Sequence, residues 1–275
     1  MKSYNTSRRF FKTVGTLIHA SWTRLIALLV PPADLCYFSA RSWITSLFLF
    51  SSHSLAVLMN LFITFEGIDG SGKTTQLRLL HEYLLERNID TVIAREPGGT
   101  EVGEAIRQIL LHSGTQDLKP LSELLLYYAS RYQNLCQNIL PALERGQWVL
   151  CDRYADASVA YQGYGRGVDL NFIEQLNRAV VGQRLPDFTF LMDLDPTLAL
   201  ARARQRNQDR VVDESRFEME SLNFFERVRQ GYLAIARDHP GRFRIVSGKF
   251  SVEETHQEIL HMLRDFQRKD DADAI

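Results

Sequence analysis

The chain has 275 residues, 45% of them hydrophobic and 24% charged, and a formal net charge of −1, which is ordinary globular material for one large domain or two small ones. That balance excludes the overall basic surplus that draws a protein to nucleic acid. Three widely separated cysteines, Cys36, Cys136 and Cys151, exclude a disulfide framework and a CxxC zinc site and suit a reducing, cytoplasmic setting.

Charge is unevenly placed along the chain. Residues 1–58 carry Lys2, Arg8, Arg9, Lys12, Arg24 and Arg41 against the acid Asp34, whereas the remainder is net acidic. Apolar runs at 25–30 and 43–50 are cut by Pro31, Pro32, Ser51 and Ser52. They suit neither a secretory signal nor a spanning helix of about 20 apolar residues. An acid-poor stretch with Arg and Ser fits a transit peptide loosely. Met59 directly precedes the first patterned strand, so the expectation is an N-terminal extension over 1–58, outside the catalytic domain at 59–275. Translation would then start at Met59; a transit or membrane-associating segment and a functional folded segment are the alternatives.

From residue 61 the pattern alternates. LFITFE (61–66) is a strand candidate, followed by a helix over 74–87 with Leu77, Leu80 and Leu84 at helical spacing. TVIA (91–94) ends at the turn signal Pro97-Gly98-Gly99. Helices are expected over 101–111 and 121–144, the second bent near Pro141. WVLCD (148–152), FTFLMDL (188–194) and FRIVS (243–247) complete the strands, and an amphipathic helix closes the chain at 251–267. Strands alternating with helices imply an α/β fold, a parallel sheet with helices on both faces. Ligands of such sheets gather at the carboxyl ends of the strands.

After the first strand stands G-x-x-x-x-G-K-T, filled by Gly67, Ile68, Asp69, Gly70, Ser71, Gly72, Lys73 and Thr74. Between a strand and a helix this is a P-loop. Its glycines let backbone N–H groups wrap a phosphate, Lys73 reaches the β- and γ-phosphates, and the Thr74 hydroxyl is a Mg²⁺ ligand. No NKxD guanine signature follows, so the later strand ends must identify the chemistry. The second ends in Arg95-Glu96-Pro97-Gly98-Gly99-Thr100 and the third in Asp152-Arg153-Tyr154. Two arginines delivered to the P-loop edge suit a kinase whose acceptor also carries a phosphate.

With EGIDGSGKTTQ (66–76), REPGGT (95–100), LLLYYASRYQ (124–133) and DRYADASVAYQGYGRG (152–167), the chain from about Met59 onward resembles the thymidylate kinases. The resemblance implies transfer of the ATP γ-phosphate to dTMP, with Mg²⁺, in a P-loop fold that forms a homodimer, and with neither nucleic acid nor membrane as partner. It assigns Asp69 to the sugar 3′-hydroxyl, Arg95 and Arg153 to the acceptor phosphate, and Asp152 to the neighbourhood of the metal. Tyr127 is placed on the thymine face and Arg131 at the base edge. Ser158 is placed near the base, beside Ala157, where the family more often has serine. The arginine-rich stretch at 201–218 resembles the family's short helical lid. Gly70 stands where some members carry an arginine, so the catalytic cation is sought among Arg202, Arg204, Arg206 and Arg210, with Arg202 and Arg206 favoured beside Lys73 and Arg153. A kinase of another nucleoside monophosphate and a non-catalytic P-loop binding module are the alternatives.

Overall fold

A computed structural model describes residues 60–112, 114, 117–207 and 216–272. The extension, Met59 and the inner part of the lid stretch, with Arg210 and VVDE (211–214), lie outside the described residues. The elements run β1 (Phe62–Glu66), α1 (Lys73–Leu85), β2 (Thr91–Arg95), α2 (Glu101–Leu111), α3 (Pro120–Asn134), α4 (Leu140–Glu144), β3 (Trp148–Asp152) and α5 (Ala155–Ser158). They continue with α6 (Leu170–Val180), β4 (Phe188–Asp193), α7 (Pro196–Asn207), α8 (Leu222–Asp238), β5 (Phe243–Ser247) and α9 (Val252–Ala272).

The five strands of the described residues are all parallel, in the order β2-β3-β1-β4-β5. The central strands β1 and β3 are buried at every position, which is why their sequences are continuous apolar runs and not alternating ones. On one face Ile63, Phe65 and Phe190 pack with Leu77, Leu80 and Leu84 of α1 and Ile259 and Leu263 of α9. The other face takes Leu135, Ile139 and Leu143 beside β3, and Phe224, Val228 and Tyr232 of α8 beside Leu191. Thr64 and Thr189, polar yet fully buried on neighbouring strands, satisfy one another with a hydroxyl hydrogen bond of 2.8 Å.

The helix expected over 121–144 is one continuous run with a change of hydrogen-bond register. A π-type turn at Leu135–Ile139 separates α3 from α4, and Pro141 lies in the first turn of α4. Proline offers no N–H to the preceding turn, and the wider turn absorbs the fault without ending the helix. A second π-type turn, Val159–Gly165, carries the AYQG run, and a 3₁₀ turn at Arg216–Met219 leads from the lid stretch to α8. Among the described residues no helix is long and apolar enough to cross a membrane. Cys151 is buried and Cys136 exposed.

Candidate active site

The P-loop geometry follows from its glycines. Gly67, Gly70 and Gly72 have φ of 131°, 82° and 98°, a region that side-chain-bearing residues rarely adopt. Gly72 occupies the N-cap of α1 and has no side chain to cap it, which leaves the first-turn N–H groups without a side-chain acceptor, as an anion site requires. Lys73 is buried with Nζ donating to the Ile68 carbonyl at 2.9 Å. Burial, helped by the nearby Arg153 charge, pulls its ammonium down to about 8. Thr74 Oγ1 donates to Asp152 Oδ2 at 2.5 Å, which puts a hydroxyl and a carboxylate oxygen side by side. Hard oxygen donors of this kind suit Mg²⁺ held together with substrate phosphates.

Arg153 follows β3 with φ of 68°, a costly conformation for a non-glycine residue and one that surrounding contacts must hold. Its guanidinium donates to the Gly67 carbonyl (2.8 Å), the Tyr232 hydroxyl (3.1 Å), Asp69 Oδ1 (2.8 Å) and the Tyr161 hydroxyl (3.0 Å). Behind it, Tyr232 donates to Glu66 Oε2 at 2.8 Å, and the Tyr154 N–H donates to Glu66 Oε1 at 2.7 Å. Burial, then the nearby Asp156, push the Glu66 carboxyl up to about 8. Arg95, at the end of β2, is exposed and pairs with Glu104 at 2.6 Å. Glu104 also accepts the Gly99 N–H, and Thr100 caps α2 through Gly103. The REPGGT run is therefore a capped helix entry that presents Arg95.

Two cavities lie side by side at the carboxyl edge of the sheet. The larger, about 470 Å³, is walled by Lys73, Thr74, Arg78, Arg95 and Asp152. The smaller, about 80 Å³, is walled by Tyr127, Ala157, Ser158, Tyr161 and Gln162. They share Asp69, Glu96, Arg107, Leu111, Arg153 and Phe217.

Lys73, Thr74, Asp69, Arg95, Asp152, Arg153, Tyr127 and Ser158 are thus brought together as expected, and Ala157 sits on the same wall. Tyr128, next to Tyr127, is a core residue whose hydroxyl bonds to Asn177 and the Ile173 carbonyl. Arg131 is placed differently. It is buried and lines neither cavity; Nε bonds to Glu96 at 2.7 Å, while Nη2 bonds to the Tyr154 carbonyl and, at 3.0 Å, to Ser158 Oγ. Its Nη1 has no hydrogen-bond partner. Arg202 donates to the Gly248 carbonyl at 3.0 Å, away from both cavity walls; Arg204 is exposed, and the Arg206 side chain lies outside the described residues.

Sequence reading missed Arg107, Phe217, Glu66 and Tyr232 as site residues. Tyr161 and Gln162 stood inside a quoted run without roles. Arg107 looks like any charge on an amphipathic helix, and Phe217 like a core aromatic. Their placement depends on elements distant in sequence meeting at one edge.

The family model for thymidylate kinase matches residues 65–259. The thymidylate kinase of Geobacter sp. (strain M21) is 50% identical over 198 residues, covering 72% of this chain and 88% of the relative. That of Citrifermentans bemidjiense is 48% identical over 207 residues, covering 75% and 92%. Among solved structures, thymidylate kinase from Ehrlichia chaffeensis superposes with a TM-score of 0.60 at 38% identity, covering 74% of this chain and 98% of that one. P-loop, strand-end arginines, paired cavities and these likenesses agree, and the chain belongs to the thymidylate kinase family.

Proposed function

We propose that this chain transfers the γ-phosphoryl group of ATP to dTMP, yielding dTDP and ADP. The observation that carries the reading is the junction of the two cavities, where Asp69 and Arg153 belong to both walls. A phosphoryl donor on the P-loop and an acceptor in the smaller pocket would meet at that junction. Backbone N–H groups of the loop and Lys73 hold the ATP phosphates, and Arg153 and Arg95 bring positive charge to the acceptor phosphate. Such transfer depends chiefly on positioning and charge stabilisation. Asp69 is positioned by Arg153 to accept from the sugar hydroxyl. Tyr127 supplies an apolar face to the base. Gln162 adds an acceptor, because its Nε2 is committed to Glu123 and its Oε1 has no partner. Arg131 acts through Glu96 and Ser158, which it fixes from behind.

Thr74 and Asp152 would hold Mg²⁺ with ATP, which supplies charge neutralisation across the β- and γ-phosphates. A lid arginine closing over the phosphates adds further charge stabilisation and excludes water; Arg202 and Arg206 on α7 are the proposed sources. The working protein is a cytoplasmic homodimer, a reading favoured by the exposed apolar stripe of Leu121, Leu125 and Tyr132 on α3, with Val102 also exposed on α2, which packs against α3.

A coupled assay with ATP and dTMP, dUMP, dCMP, dGMP or thymidine tests the reading. The expected outcome is fastest turnover of dTMP; turnover of thymidine alone would make the chain a nucleoside kinase, and no turnover at all a binding module. Arg153→Ala should raise the KM for dTMP well above its effect on the KM for ATP.

A further inference from the structure

Glu123 is a buried charge that the proposed chemistry leaves unused. It lies in the first turn of α3, is 0% exposed and lines neither cavity. Its Oε1 accepts from Gln162 Nε2 at 2.8 Å and from Arg166 Nε at 3.3 Å. Its Oε2 accepts from Arg216 Nη2 at 2.5 Å, with Arg166 Nη2 3.2 Å away. Arg216 also donates to the Leu110 carbonyl, and Arg166 to Glu220. The carboxylate is therefore balanced by two guanidiniums, and it ties α3 both to the turn that carries Gln162 and to the turn that carries Phe217.

A carboxylate held between guanidiniums can only accept. A glutamine beside it has one favourable amide orientation, with NH₂ toward Glu123 and the carbonyl away. The carbonyl so turned away, Gln162 Oε1, is buried without a hydrogen-bond partner, a state that a ligand donor would relieve. Gln162 lines the smaller cavity. We propose that Glu123 is a positioning residue that locks the Gln162 amide so that the pocket meets a carbonyl, selecting a pyrimidine whose N3 bears a hydrogen over one whose N3 is a bare acceptor. Thymine and uracil present that N–H, and cytosine presents a lone pair at the same position. The inference rests on the smaller cavity being the base pocket.

Glu123→Gln tests it. The new amide gives its carbonyl to Arg216 and its NH₂ to Gln162, which must then turn over and present NH₂ to the pocket. The measurement is kcat/KM for dTMP and for dCMP, with the KM for ATP as control. The dTMP-to-dCMP ratio should fall at least about tenfold, as expected when a hydrogen-bonding site is mismatched to its substrate, with the KM for ATP within about twofold of wild type. An unchanged ratio, or equal losses with both acceptors, would overturn the proposal, since a merely structural role weakens both alike. If the variant is not recovered folded, Gln162→Leu carries the test. It removes the oriented carbonyl at similar volume, and a retained dTMP preference would again overturn the proposal. A wild-type enzyme with no preference for dTMP over dCMP would sink the base-pocket reading itself, and the inference with it, before any variant is compared.

Discussion

Lys73 shows how far one residue's behaviour depends on what surrounds it. Its ammonium is pulled down to about 8 because burial penalises the charge and Arg153 repels it, while Asp69, Asp152 and Glu66 only partly offset both effects. In the free enzyme it therefore begins to lose its proton just above neutrality. ATP binding needs the charged form, so affinity should be full below about pH 7 and fall as pH rises through about 8. Titration calorimetry between pH 6.5 and 9 checks this (roughly the window set by that pKa), with Lys73→Arg as comparison: a guanidinium stays charged throughout, and its binding curve should be flatter. Equal slopes for the two proteins would mean that Lys73 does not titrate in that range.

The meeting of the P-loop with α7 is decided at the scale of elements. A Cβ on Gly70 would lie 2.0 Å from the Ala199 carbonyl oxygen, a backbone atom of α7, and the φ of 82° disfavours any side chain. An arginine at this place in the loop and α7 in its present position exclude one another. Gly70 therefore does more than omit a cation, because its missing side chain is what lets α7, the helix bearing Arg202 and Arg206, pack against the loop. Gly70→Ala should destabilise the protein by about 1–3 kcal/mol through strain and overpacking, read as a lowered Tm. It should also reduce kcat by displacing α7. A variant with wild-type Tm would show that the loop and helix part easily.

For the whole molecule, the exposed stripe on α3 bears on assembly. Leu121, Leu125 and Tyr132 are 50%, 46% and 53% exposed and recur at helical spacing on one face. If that face is the seam between two copies, Leu125→Glu should place a charge in it and shift sedimentation from dimer to monomer. Leu125 lines neither cavity, so the variant should keep its affinity for ATP. An unchanged sedimentation coefficient would place the seam on another surface.

Much of this was legible in the sequence. Continuous apolar runs at 61–66, 148–152 and 188–194, alternating with helical stretches, read as buried parallel strands, and Gly67 to Thr74 declared a phosphate loop because few other residues permit that backbone. Arg95 and Arg153 fell at strand ends, and in a parallel sheet all those ends share one edge, so their convergence was already implied. Tertiary structure alone decided the rest. Arg131, expected at the base edge, is buried with Nε and Nη2 held by Glu96, Ser158 and the Tyr154 carbonyl, from three separate segments, and only Nη1 left without a partner. Phe217 and Arg107 became cavity walls, and Glu123, written in a leucine-rich helix as an ordinary acid, became the partner of Arg166, Arg216 and Gln162. Local pattern specifies which faces are apolar and where the backbone must turn; the partner a buried polar group finds depends on chain segments 39 to 93 residues away, and no local signal encodes that meeting.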